Sequence, residues 1–224
     1  MSTLLLRLEG PMQSWGTQSR FRDRDTGREP SKSGVIGLLC AALGRARSAP
    51  LGDLATLRMG VRVDREGTVS MDYHTSGAAS PNDDLYGEKE RAIISQRHYL
   101  ADASFLVGLE GEDRLLRELL AALQWPRWQI YLGRKAFLPS KSLLLSDEPP
   151  VGPGLREEPL EMSLRTWPWM PDGSWRRDPP ARLRLVLDAA PGSTMEIRND
   201  VPISFEDRLF SLRNVTTKWV EVPR

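Results

Sequence analysis

The chain has 224 residues, 40% of them apolar and 27% charged, and its 31 basic and 30 acidic residues leave a net charge of +1. That length holds one large domain, or a domain with an elaborated second half, around a substantial core. The near-zero sum excludes a globally cationic nucleic-acid binder, the single cysteine (Cys40) excludes an internal disulfide framework or cysteine zinc site, and the two histidines (His74 and His98) exclude a histidine-rich metal site.

Thr3 to Leu8 reads as the first strand, ended by Gly10-Pro11. Its apolar run is cut by Arg7, so the N-terminus reads neither as a signal peptide nor as a membrane span, and a cytoplasmic location is expected. The loop GPMQSWG follows, Gly10 to Gly16. Two glycines flank Gln13, Ser14 and Trp15, so the backbone can approach a ligand while Trp15 offers a stacking face; the alternative is a tight turn around a core tryptophan.

Thr26 to Arg47, TGREPSKSGVIGLLCAALGRAR, is a basic, glycine- and proline-broken loop running into a helix. Gly34 to Leu43 is apolar on every side, with Ser33 as N-cap and Gly44 as stop. A nucleotide P-loop is excluded: Gly27 precedes Lys32 by five residues rather than six, and Ser31 stands where the second glycine belongs. Free amides at a helix start still attract anions, and Arg28, Lys32 and Ser33 strengthen that; an ordinary capped core helix is the alternative. From Arg20 to Arg47 seven basic residues face three acidic ones, and from Arg127 to Lys141 there are four basic residues and no acid. The asymmetry suits a basic face on a neutral protein, or a mixed solvated surface.

Leu57 to Asp64 alternates like a half-buried strand; Asp64 to Gly67 is a turn, and Val69 to Thr75 returns as its hairpin partner. Gly77 to Gly87 is a polar tip. Ala92 to Tyr99 and Ala103 to Leu109 are strands, and Glu112 to Leu123 is an amphipathic helix with its acids in the first turn. The order is βαββαβ, an α+β ferredoxin-like layout shared with RNA-recognition domains. The region between Val69 and Tyr99 is too long for a plain connection, so it should project from the sheet. Residues 1–145 thus read as one unit. Beyond Leu145, SDEPPVGPGLREEP reads as a linker or surface loop. Arg165 to Pro180 packs three tryptophans and four prolines into sixteen residues, as a sheet cap or a partner patch. Leu183 to Leu187 and Thr216 to Val222 are further strands of a 146–224 extension.

Two other stretches bear chemistry. Tyr73-His74 and Arg97-His98-Tyr99 stand at the base of the projecting hairpin, where aromatic and basic side chains suit single-stranded RNA, acid–base cleavage of RNA, or simple strand packing. YLGRKAFLPSKS, Tyr131 to Ser142, is a glycine-bearing loop that offers Arg134, Lys135 and Lys141 to a phosphate backbone, or only to solvent. No hydrolase, zincin or dinucleotide-binding motif is present.

LLLRLEGPMQSWG, TGREPSKSGVIGLLCAALG, DYHT, QRHYLADASFLVGLEG and YLGRKAFLPS, in this order from Leu4 to about Ser142, resemble the CasD family of the subtype I-E CRISPR Cascade complex. The resemblance implies a RAMP-type, ferredoxin-like domain with a β-hairpin thumb. It implies a subunit that needs no cofactor and grips the 5′ handle of the CRISPR RNA. Its thumb, Tyr73 to Tyr99, would fold over the RNA beside the backbone subunit CasC. It would also touch the large subunit CasA, which reads the PAM on target DNA. Lys32, Ser33 and the helix start, with Arg28, would then hold phosphates; Gln13, Ser14 and Trp15 would lie against nucleotides; Arg134 and Lys135 would complete the basic path. A related subunit of subtype I-C is a metal-independent endoribonuclease, so His74, His98, Tyr99 and Lys89 leave an enzymatic alternative, which the lack of an adjacent lysine–histidine pair disfavours. A generic single-stranded RNA binder is the third reading.

Overall fold

The computed structural model describes residues 1–17, 22–76, 93–145, 154–169, 180–189 and 196–223. Its first strand is β1, Ser2–Glu9, buried along nearly all its length. Leu4, Leu6 and Leu8 point into one core and Leu5 into another. A strand covered on both faces needs apolar residues at every position, which is why LLLRL reads as a run rather than an alternation. β7 (Ser104–Gly111) pairs with it antiparallel from Ser2 opposite Gly111 to Glu9 opposite Ser104. β4 (Arg58–Arg65) takes the other edge of β7.

α1 (Lys32–Leu43) and α3 (Asp113–Gln124) pack on the face of Leu4, Leu6 and Leu8. α3 buries Leu116, Leu119 and Leu123 at helical spacing. α1 is capped by Ser31 rather than Ser33: the Ser31 hydroxyl accepts the Gly34 N–H at 3.3 Å, while the Ser33 hydroxyl lies 3.4 Å from that of Ser31. Gly44, at φ +71, ends the helix as expected. A short α2, Gly52–Ala55, precedes β4.

The opposite face carries α4, Leu160–Thr166, which the sequence pattern does not announce because seven residues are too few to display a period. It lies over Gly60 and Gly108, which pair across β4 and β7. A Cβ on Gly60 would meet Leu164 at 2.6 Å, and one on Gly108 would meet Leu160 at 2.7 Å. The two glycines therefore make the flat seat on which Leu160 and Leu164 are buried, at about 1.5–3 kcal/mol each. Fully buried Arg62 secures the segment: it donates to the carbonyls of Leu164 (2.8 Å), Trp167 and Pro168 while paired with Asp64. Of the tryptophan-proline stretch, Trp167 is core and the Trp169 indole donates to the Asp64 carbonyl at 3.2 Å; 170–179 lie outside the described residues.

The C-terminal part extends the same sheet. With β8 (Leu155–Arg156), β9 (Arg182–Asp188), β10 (Glu196–Ser204) and β11 (Leu209–Glu221), it has seven strands in the order β10-β11-β9-β4-β7-β1-β8, every pair antiparallel. β10, which carries Pro202, escapes the sequence pattern.

A second sheet stands beside the first. β5 (Thr68–Ser76) pairs with β6 (Ile93–Ala101) over nine residues, and β6 also takes β2 (Met12–Gln13) and, in parallel, β3 (Asp23–Arg24). The hairpin expected between Leu57–Asp64 and Val69–Thr75 does not form. Both edges of β4 are taken, by β7 and β9, so the chain turns out at Gly67 (φ +70) and β5 finds β6 instead. The expected tip, Gly77 to Gly87, and Lys89 lie outside the described residues.

Candidate nucleic-acid interface

Gly133 opens the site. At φ +96, a Cβ there would come within 1.9 Å of the Ser14 carbonyl oxygen, so only glycine lets the 130–140 loop close on the loop after β1. The Ser14 N–H donates to the Leu132 carbonyl (3.0 Å), and the Phe137 N–H to that of Arg134 (2.9 Å). This backing delivers Arg134 to the foot of the β5–β6 hairpin. Its Nη2 donates to the carbonyls of His98 (2.8 Å) and Arg24 (3.3 Å), and its guanidinium lies 5.4 Å from the centre of the Phe137 ring. The tilted ring of Tyr99 packs on Phe137 at 5.8 Å.

Charges of both signs surround Arg134. Its Nη1 is buried with no hydrogen-bond partner among the described residues. Burial first, and then the like charges of Arg97 and Arg24, pull its pKa below the usual arginine range against the opposing pull of Asp72 and Asp25. Arginine stays protonated at neutral pH all the same. Arg97 and Arg24 add positive charge beside it, the sign that attracts a phosphate. Lys135 is exposed beside it. A cleft of about 870 Å³ opens here, lined by Ser14, Arg24, Ser31, Ser33, Arg134 and Arg208 among others.

The hairpin register sorts the remaining candidates. Asp72 opposes Arg97 and His74 opposes Ser95, so His74, Arg97 and Tyr99 share one face, while Met71 opposes His98 and Tyr73 opposes Gln96 on the other. Tyr73 is exposed, and His74 and His98 are half-buried. The Arg97 Nε donates to the Ser95 hydroxyl at 3.0 Å.

Three expectations are corrected. Trp15 is 1% exposed and cannot stack on a nucleotide. Its indole N–H donates to the Gln13 side chain, whose own amide is spent on the carbonyls of Leu8 and Ala103. Gln13 is thus a buried brace under the loop, and Trp15 belongs to the core. The start of α1 is no free anion site either: the Lys32 N–H already donates to Asp200 at 2.8 Å, and its side chain, 6% exposed as a residue, pairs with Asp188 at 3.2 Å. The protein supplies its own anions there. Ser33 and Ser14 do reach the cleft, whereas Arg28 lines a separate one of about 500 Å³.

Those internal anions belong to a chain of charges. Arg213 bridges Asp188 and Asp200, Arg198 and Arg184 hold Glu29 at 2.5 and 2.8 Å, and Arg184 continues to Glu66. Burial raises the pKa of Glu29, but Arg198 and Arg184 outweigh it and the net shift is downward; Asp200 behaves alike under Arg213. The network ties β9, β10 and β11 to the loop before α1, and so places the C-terminal hairpin against the cleft. Phe205, Arg208 and Phe210 of that hairpin line the cleft together with Arg24. Sequence reasoning passed over them; the signals were the alternating RDRD run and the turn SFEDRLF, where two phenylalanines flank polar residues.

The family model described as CRISPR-associated protein (Cas_Cas5) matches residues 3–216. The CRISPR system Cascade subunit CasD of Escherichia coli (strain K12) is 39% identical over 150 residues, 60% of this chain, and the match spans 66% of that protein's length. A solved structure described as a crystal structure of Cas protein has a TM-score of 0.78 and 43% identity, covering 99% of this chain and 98% of that one. Another, described as a CRISPR RNA-guided surveillance complex, also has a TM-score of 0.78, with 36% identity over 99% of this chain and 91% of that one.

Proposed function

The chain belongs to the Cas5 family of CRISPR-associated proteins, and on that premise we propose that it is the CRISPR RNA-binding, non-catalytic subunit of a type I-E Cascade complex. In this reading it caps the 5′ handle of the RNA and scaffolds CasC and CasA for antiviral targeting of DNA. The observation that carries the reading is the arginine cluster, Arg24, Arg97 and Arg134, at the foot of the β5–β6 hairpin. Its support on the fold side is the strand order β8-β1-β7-β4 with α1 and α3 between the strands, the arrangement a ferredoxin-like RAMP domain requires. Residues 1–145 supply three strands and both helices of that domain, 146–224 form an extension whose β8 adds the fourth strand, and the β5–β6 hairpin is its thumb. The RNA path runs over Arg134, Lys135 and Arg97, with Ser14 and Ser33 in the cleft and Tyr73, His74, His98 and Tyr99 along the thumb. The location is cytoplasmic; among the described residues no helix is long and apolar enough to cross a membrane.

The register speaks against the endoribonuclease alternative. His74 and His98 lie on opposite faces of the hairpin, and Tyr99 lies four positions, about 13 Å, from the pair of His74. General acid and base must both reach one phosphate within hydrogen-bond distance. The test is to incubate the purified chain with its cognate repeat RNA in EDTA and run one gel for cleavage and for shift. A specific shift of the handle without cleavage is expected. A discrete cut at the handle boundary, lost on mutating His98 or Tyr99, would make the protein an enzyme.

A further inference from the structure

We infer that the turn between β10 and β11, residues 205–208, closes the RNA cleft opposite Arg134 and seats one unstacked nucleotide, its base against Phe205 and Phe210 and its phosphate on Arg208. The inference rests on the RNA-binding reading above and adds to it a site contributed by the C-terminal extension.

The turn is built to hold a position. The Ser204 hydroxyl donates to Asp207 Oδ2 at 2.8 Å and accepts the Asp207 N–H at 3.1 Å. Arg47, just beyond α1, donates to the Phe205 carbonyl at 2.6 Å. The Phe205 ring lies 3.7 Å from where a side chain on Gly37 would begin, so it rests on the middle of α1. The turn is therefore fixed to the same helix whose first residues line the cleft.

Arg208 adopts φ +55, a left-handed conformation costly to a residue with a Cβ. Such strain gathers at ligand clamps. The residue is exposed and lines the cleft, and no hydrogen bond or ion pair holds its guanidinium among the described residues. A cation brought to a cleft wall at a backbone cost and left unpaired is suited to an incoming anion.

The rest of the lining names the class of ligand. Arg24, Arg134 and Arg208 face a single carboxylate, Asp25, whose Oδ2 already accepts the Thr17 N–H. The hydroxyls of Ser31 and Ser33 and the rings of Phe205 and Phe210 complete the wall. The cleft, about 870 Å³, is of the size that encloses a small ligand rather than a duplex. Cations beside aromatic rings are what a splayed single-stranded nucleotide needs, stacking for the base and charge for the backbone.

The test titrates the full chain with single-stranded repeat RNA carrying 2-aminopurine at successive positions, at several salt concentrations. Phe210→Ala should weaken binding about tenfold with an unchanged salt slope, and should abolish the fluorescence change at one position only. Arg208→Gly, which relieves the left-handed backbone, should flatten the slope by about 0.7, the loss of one single-strand phosphate contact. If both variants bind like the parent while Arg134→Ala loses affinity, the clamp is wrong and the RNA reading stands. If the parent binds no RNA, both fall. If the two variants keep full RNA affinity but no longer join the complex, the turn is a protein interface and the inference is overturned.

Discussion

Lys32→Met separates the two roles that the start of α1 can play. In the structure, Lys32 Nζ lies 3.2 Å from Asp188 Oδ2 and is shielded from solvent. The same oxygen accepts the Met59 N–H at 2.9 Å, and Arg213 holds the other oxygen of Asp188. Removing the ammonium therefore strands no bare carboxylate. The cost should fall below the ~3–5 kcal/mol of a broken buried pair, near the ~2 kcal/mol of one hydrogen bond to a charged group. In a chain of this size that lowers the thermal midpoint by about 4–8 °C. The salt slope of RNA binding should not change, because Lys32 is spent inside the fold. Thermal unfolding by circular dichroism, together with RNA titrations from low to high salt, reads both quantities. An unchanged midpoint with a slope flattened by about 0.7 would mean that Lys32 leaves Asp188 to grip a phosphate, and the reasoning would fail.

Trp15→Ala should cost about 3–5 kcal/mol as a large core cavity, visible as a loss of midpoint; intact stability with weaker RNA binding would return Trp15 to the RNA surface. Gly133→Ala, with its left-handed φ and a 1.9 Å approach to the Ser14 carbonyl, should cost at least about 2 kcal/mol and detach the Arg134 loop, so RNA affinity and midpoint should fall together. A variant with parental midpoint and affinity would remove Gly133 from the site. Acid should loosen the C-terminal hairpin. Glu29 and Asp200 are held below their ordinary values of 4.5 and 3.8, so their stabilisation is full above those values and lost as pH falls through them toward the folded pKa. Asp64, raised by burial, opposes that trend. The midpoint should hold from about pH 7 to 5 and drop below about 4.5, less steeply in Glu29→Gln; a drop already above pH 6 would mean that these carboxylates are not its cause.

Arg134 shows how a residue of modest sequence signal becomes the centre of a site. GRK reads as a solvated basic loop until Gly133 is seen against Ser14 and the guanidinium against the carbonyls of His98 and Arg24, residues 36 and 110 positions away. The reverse holds for Lys32 and Trp15. Both carry the chemistry of an RNA contact, and both are consumed by the fold. Local sequence states what a side chain can do; burial states whether it is available.

The sequence by itself determined the elements whose cause is local. Both faces of β1 are apolar because its residues are; α1 stops at Gly44 because glycine tolerates the left-handed turn; α3 shows its leucines at helical spacing. Composition and missing motifs removed metal–cysteine and P-loop chemistry, and the order of motifs marked the CRISPR family. Only the tertiary structure decided which strand pairs with β5, which serine caps α1, and which anion each buried cation meets. Those outcomes depend on partners distant in the chain. β4 could not pair with β5 once β7 and β9 held its edges, and Lys32 could not face RNA once Asp188 and Asp200 arrived from β9 and β10. Arg134 reached the foot of the β5–β6 hairpin only because its loop closed on Ser14, and its Nη1 has no hydrogen-bond partner among the described residues.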